Sequence, residues 1–450
     1  MTQSAPQRPV FNPNAAHQLK PKVRPLRGVP VQGQDPTGKP IQLLGLTDAR
    51  QISEKMVVTS PAAQMLIPLL DGTRGIPEIV TQVGRGLNAE ILQGLIAQLD
   101  DAGLLEGPTF EALLAKTRTD FDASDTLPPA STAQFADMLV MQQLGEKATE
   151  HDKTTHGPTK MREIMDQWMA EALKAVPKPS FDALPKAVVA PHLDYARGWL
   201  NYAHIYGRLR VCDRPDRVII LGTNHFGMGT GVVACDKGYE TPLGVAKVDS
   251  DALAQLRAAL GDKLFTHRYD HEREHSIELH IPWIQHVFGK GSAGEYPKVL
   301  GVLIHDPAVN NGQSYDGNGI ALEEFVGALK KVLQTLPGRT LIVSSADLSH
   351  VGPAFGDQQP LAGEEPAPTE ARNKVFQNDM QLLDMIVKNK PSELVASMAW
   401  QQNPTRWCST GNIVATLMIV EPSEVELLNY AASMDPQGMT MVSSAALAMK

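Results

Sequence analysis

The chain has 450 residues, enough for two domains, and its 42% apolar and 20% charged residues match an ordinary globular composition. A formal net charge of −9, with no Lys/Arg run longer than two residues, excludes a broad electrostatic grip on nucleic acid. Three cysteines, at 212, 235 and 408, cannot build a disulfide framework and point to a reducing compartment. The N-terminal stretch lacks the apolar core of a signal peptide, and no apolar run approaches the ~18 residues of a membrane span. A cytoplasmic protein with no membrane partner is expected.

In chain order, residues 1–38 are rich in Pro, Gln and Asn without periodicity and read as a flexible lead-in. Residues 39–118 read as a small winged-helix-like domain. "IQLLGL" is strand-like, "PAAQMLIPLLDGT" has helical apolar spacing, and "NAEILQGLIAQLDDAGLLEG" starts at an Asn cap and leads to a possible closing strand. Its last helix carries Glu90, Asp100 and Asp101 and no Lys or Arg, which suits peptide or partner docking, or structural support, better than DNA. Residues 119–150 read as a linker and helical connection. The α/β domain then runs over 151–450, beginning with an amphipathic helix, "MREIMDQWMAEALKAV", whose Ile164, Met165, Trp168 and Leu173 form its apolar side.

From Pro185 onward one unit recurs: an apolar, β-branched run followed within a few residues by a histidine. "KAVVAPHLDY" places His192, "VIILGTNHFG" His225, "KVLGVLIHD" His305, and "LIVSSADLSHVG" both Asp347 and His350. Such continuous runs, alternating with helices near 249–260 and 320–335, predict a central sheet buried on both faces and flanked by helices. Ligands of α/β folds gather outside the carboxyl ends of the strands, where these histidines fall. Cys408, in "WCSTGNIVATLMIV", is expected at the entry of an apolar helix whose dipole favours a thiolate, with Ser409 or Thr410 as the cap. Cys212 and Cys235 read as structural.

His271-Glu272-Arg273-Glu274-His275 fits H-E-x-x-H letter for letter, the zinc-protease helix pattern. The neighbours Asp270, Arg273, Glu274 and Ser276 are polar and Pro282 follows closely, unlike the buried helix that such an enzyme needs. The match is expected to mislead. His275 is expected to reach the cleft or to cap its helix, and His271, His280 and His286 to lie at the surface or in a second layer.

The stretches "APHLDYARG", "VIILGTNHFG", "YETPLG", "EHSIELHIPWI", "VSSADLSHVG", "WCSTGNI" and "LLNYAAS" resemble, in order, those of the MEMO family, whose bacterial members include protein B of the AmmeMemoRadiSam system. The N-terminal part is similar to small peptide-recognition domains. The resemblance implies a fold like that of class III extradiol dioxygenases, metal ligands at His192, His225 and Cys408, and Asp347, His350 and His275 as catalytic neighbours. It further implies one bound metal ion, iron or copper by preference and zinc as an alternative, in an oxygen-dependent oxidoreductase acting on a small molecule or modified peptide. A zinc hydrolase and a non-catalytic metal-binding adaptor remain open beside it. A radical S-adenosylmethionine enzyme and an AMMECR-type protein are the implied partners. Here "APHLDY" carries Leu193-Asp194 where many relatives have Ala-Gly. Asp194 is therefore either a histidine's outer partner or a solvated loop residue.

Overall fold

The computed structural model describes residues 9–450 except 36, 85 and 146. The chain divides into two units, Met1–Ser124 and Asp125–Lys450.

In the first unit, β1 (Leu26–Gln34), β2 (Pro40–Asp48) and β3 (Val57–Thr59) form an antiparallel sheet in that order. Helices Ile76–Val83, Ala89–Asp101 and Pro108–Asp122 follow, and Leu44, Leu46, Ile79, Leu92, Ile96 and Leu99 share one core. Asn88 caps the second of these helices by accepting from the Ile91 N–H at 2.9 Å, as its sequence predicts. Three expectations are corrected. The stretch read as a flexible lead-in holds β1, paired with β2 over nine residues; its first eight residues lie outside those described. "PAAQMLIPLLDGT" forms two short 3-10 helices, Pro61–Met65 and Ile67–Leu69, because Pro68 removes an amide donor that one continuous α-helix from Pro61 would need. The strand expected after "GLL" is a single bridge between Val23 and Leu105.

The second unit begins at 125, not 151, and includes much of the expected linker: β4 (Thr126–Leu127) and a helix at Ser131–Leu144. Its other strands are β5 (Ala187–Ala190), β6 (Arg217–Thr223), β7 (Val233–Ala234), β8 (Gly238–Thr241), β9 (Gly244–Ala246), β10 (Lys298–Ile304), β11 (Thr340–Ser345), β12 (Asp347–Val351), β13 (Val425–Met434) and β14 (Met441–Met449). The main sheet runs β12-β14-β5-β11-β6-β10-β7, with β13 paired to β14. The four central strands β5, β11, β6 and β10 are parallel, and antiparallel strands close both sides. A small second sheet joins β4, β8 and β9.

Every residue of β5 and β6 is buried, as their continuous apolar sequences require. Alternation along the strands sends Ile219, Leu221, Val302 and Ile304 into a core shared with helices Leu322–Thr335 and Thr410–Val420. Helix Tyr195–Leu209 covers β5, β13 and β14, and against it packs Glu150–Leu173, the amphipathic helix of the sequence, which buries Met161, Met165 and Met169. Among the described residues no helix is long and apolar enough to cross a membrane.

Candidate metal centre

The three adjacent parallel strands β5, β11 and β6 end side by side, and each delivers polar residues to the same edge. His192 lies two residues beyond β5, His225 two beyond β6, and β11 ends at Ser345 just before Asp347. His275 comes from outside the sheet, as the first residue of the short helix His275–Glu278. One ligand atom from each of His192, His225 and His275 lies within 4.8 Å of the others, so the three imidazoles can hold a metal ion. Their ring centroids are 5.0, 5.4 and 4.8 Å apart, pair by pair.

Polar neighbours of Nδ1 determine which nitrogen each ring offers. The Ser345 hydroxyl donates to the Ser276 carbonyl at 2.5 Å, so its oxygen accepts from His192 Nδ1 at 3.0 Å. The Glu274 carboxylate can only accept, and it takes His225 Nδ1 at 3.0 Å and lies 3.3 Å from His275 Nδ1. With all three Nδ1 atoms turned to these partners, Nε2 is the nitrogen left as a ligand. A serine and a buried glutamate thus orient the rings in the way that metal-binding histidines require.

The electrostatics differ from ring to ring. Burial pushes His192 well below the ordinary imidazole value, and the neighbouring His225 and His275 push the same way. Burial also works against a charged His225, but the Glu274 carboxylate and the Cys408 thiol outweigh it and raise that ring. Glu274 is driven down to about 2, its burial overcome chiefly by the charge of His225 and their hydrogen bonds.

Cys408 belongs to the same neighbourhood, just before helix Thr410–Val420. Its Sγ lies 3.3 Å from His192 Nε2 and 3.2 Å from Ser409 Oγ. The sequence grouped Cys408 with His192 and His225 and left His275 as a neighbour; the compact nitrogen cluster adds His275 to the two histidines, with the thiol beside it. Ser409 occupies the N-cap position of helix Thr410–Val420, yet its hydroxyl makes no cap bond and faces Cys408 and Thr223.

Asp347 is buried, accepts from the His192 and Leu193 amides at 3.0 and 3.3 Å, and has its other oxygen 3.6 Å from His192 Nε2. Burial raises its carboxyl to about 7, so it exchanges a proton near neutrality. His350 donates from Nδ1 to the Leu348 carbonyl at 3.0 Å, and burial lowers it to about 4. Both line a cleft of about 490 Å³ with the three histidines.

The far wall of that cleft includes Phe135 and Met138 of helix Ser131–Leu144, an element absent from the expected site. Glu278 anchors the start of this helix. Its carboxylate accepts from the Ala130, Ser131 and Thr132 amides at 2.8, 3.1 and 2.9 Å and from the Thr132 hydroxyl at 2.6 Å. One four-residue segment, "HSIE", therefore supplies both a ring of the centre and the clamp for the facing wall. Glu274, Ser345 and Glu278 were missed by sequence reasoning. Only the packing of polar letters in "EREHSIE" hinted at two of them.

The other histidines part from the centre. His271 is buried between the Tyr239 hydroxyl at 3.2 Å and the Val233 carbonyl at 3.1 Å. It lies in the 3-10 helix Arg268–Arg273, and the chain leaves that conformation at Glu274, so the H-E-x-x-H letters never share one α-helix. His280 packs against Tyr206, His286 against Asp166, and His305 binds the Gly312 carbonyl. Asp194 is the solvated residue of the two alternatives: it is exposed just before helix Tyr195–Leu209 and caps it through the Arg197 amide at 3.2 Å.

The fold and site together define an α/β protein with a cluster of three imidazoles at the carboxyl edge of its parallel strands. Residues 155–449 match the Memo-like protein family, and the chain belongs to it. It is 28% identical over 258 residues to the MEMO1 family protein MK0963 of Methanopyrus kandleri, covering 56% of this chain and 77% of that one. A MEMO1 family protein of Desulfurococcus amylolyticus is 25% identical over 288 residues, covering 62% and 89% of the two chains. One from Saccharolobus solfataricus is 28% identical over 272 residues, covering 58% and 82%.

Proposed function

We propose that this protein is a metal-dependent oxidoreductase holding one iron or copper ion at His192, His225 and His275, with the Cys408 thiol as a further donor. The observation that carries the reading is the convergence of the rings: one ligand atom from each lies within 4.8 Å of the others, and each Nδ1 faces Ser345 or Glu274, which leaves Nε2 for an ion. Imidazole with a soft sulfur suits iron and copper and admits zinc. When bound, such an ion supplies oxygen-dependent redox chemistry on a small molecule or modified peptide in the cleft. Asp347 holds a proton near neutral pH within reach of His192, and His350, neutral at that pH, orients substrate from the opposite side. Phe135 and Met138 exclude water from the facing wall.

Protein purified without air, assayed for metal and then for oxygen uptake with candidate substrates, tests this reading. Bound iron or copper with substrate-dependent uptake is expected. Zinc with ester or amide turnover would replace it with a hydrolase.

A further inference from the structure

Of the described residues lining the cleft, Arg197 is the only lysine or arginine. It sits in the first turn of helix Tyr195–Leu209, three residues after the cap residue Asp194. Asp194 uses one oxygen to cap the Arg197 amide and the other to accept from Nε at 2.5 Å. That bond holds the guanidinium by its Nε edge. None of the described residues accepts a hydrogen bond from its two terminal nitrogens, which leaves donors of the planar fork unused beside the cleft. The side chain is 44% exposed, so water and solutes reach it. Its charge is felt by both Asp347 and His350, the two groups between which a substrate would sit. The lining is mixed: beside the histidines, Asp194 and Asp347, the apolar side chains Phe135, Met138, Leu279 and Phe355 line the same space, and Phe135 is fixed edge-on to Tyr195 at 4.9 Å.

We propose that Arg197 selects the substrate by pairing its free guanidinium edge with an oxyanion, carboxylate or phosphate, borne on an apolar body that lies between Phe135, Met138 and Phe355. The pairing is charge-assisted and, in the fork geometry, bidentate. It rests on the reading of this cleft as a substrate site. It does not depend on the metal, because the guanidinium is held by Asp194 and not by any of the ring nitrogens. A surface arginine that merely solvates the rim would show no preference among ligands of one shape, and this separates the two cases.

The test is ligand-observed NMR and calorimetry on the full chain, as purified and after chelator treatment, with three probes: 3-phenylpropanoate, phenyl phosphate and 3-phenylpropanamide. One or both anions should bind, and the amide at least about tenfold more weakly. Binding by the carboxylate alone or the phosphate alone identifies which oxyanion the site takes. Arg197→Gln should weaken the bound anion at least about tenfold, Arg197→Lys should weaken it less, and neither should change metal content. Circular dichroism establishes that both variants fold. The proposal is overturned if no anion binds, if the amide binds as well as the anions, or if Arg197→Gln leaves anion affinity intact. It is also overturned if anion binding disappears on chelation, which would place the anion on the ion. A chain that binds no metal yet keeps Arg197-dependent anion binding would refute the redox reading alone.

Discussion

Nδ1 of His225 lies 3.0 Å from Oε1 of Glu274, and the same oxygen lies 3.3 Å from Nδ1 of His275. One buried carboxylate therefore orients two of the three rings, while its other oxygen accepts from the His225 amide at 2.9 Å. Glu274 is also the residue at which the 3-10 helix carrying His271 ends and the helix carrying His275 begins.

Replacing that carboxylate should weaken the centre without abolishing it. Glu274→Gln keeps one acceptor oxygen where the carboxylate used two, for the His225 and Ser276 amides, and cannot serve as a charged neighbour for both rings. Metal affinity, measured by competition with a chromogenic chelator, is expected to fall ~10 to 100-fold. An unchanged affinity would mean that the rings are positioned by packing alone.

Glu278→Ala should loosen the wall of the cleft. Four donors at the start of helix Ser131–Leu144 lose a buried, charged acceptor, costing about 2 to 4 kcal/mol in urea unfolding. Hydrogen exchange should rise first at residues 131–138. Uniform protection across the chain would refute the clamp.

Asp379 is fully buried and accepts from Ser349 Oγ, Trp407 Nε1, Tyr430 Oη and Ser443 Oγ at 2.5, 2.8, 2.7 and 2.5 Å. It ties helix Pro366–Val387 to β12, β13, β14 and the residue before Cys408. Asp379→Ala strands all four donors and should cost at least about 3 kcal/mol in unfolding free energy. Asp379→Asn keeps one acceptor oxygen, and the hydroxyls opposite its amide can turn to accept, so it should cost less than half as much. Equal losses for the two variants would contradict this account.

His271 supplies a pH signature distinct from the centre. Burial lowers it from 6.5 to about 4, so the unfolded chain binds its proton first as the pH falls. The associated stability is fully present above pH 6.5 and is lost as the pH drops towards 4. Between pH 7 and 5 the wild type should lose about 2 kcal/mol more than His271→Gln, read from urea unfolding at the two pH values. An identical pH slope would show that the imidazole is not held neutral.

The parallel sheet was legible because each core strand is an unbroken apolar run, and His192, His225 and Asp347 followed from its topology. What crosses the chain was not legible. Glu278 reaches helix Ser131–Leu144 across 146 to 148 residues, and no local pattern announces such a bond. The strand β1 was hidden by Pro30, Gly28 and Gly33, which read as loop punctuation. As an edge strand it tolerates a residue without an amide hydrogen, and its pairing with β2 supplies the order that local propensity does not. His275 was judged a neighbour because its role depends on the turn made at Glu274, which brings it to the sheet edge while sending His271 towards Tyr239. The H-E-x-x-H letters misled for the same reason: spacing in sequence means spacing in space only within one regular helix.

The most direct test of the three-imidazole centre is metal stoichiometry in protein purified without air, comparing wild type with His192→Ala, His225→Ala, His275→Ala and His271→Ala, each shown by circular dichroism to be folded. The wild type and His271→Ala should each carry about one ion per chain, and the other three variants should be largely empty. A metal-free wild type, or an empty His271→Ala beside a loaded His192→Ala, would contradict it.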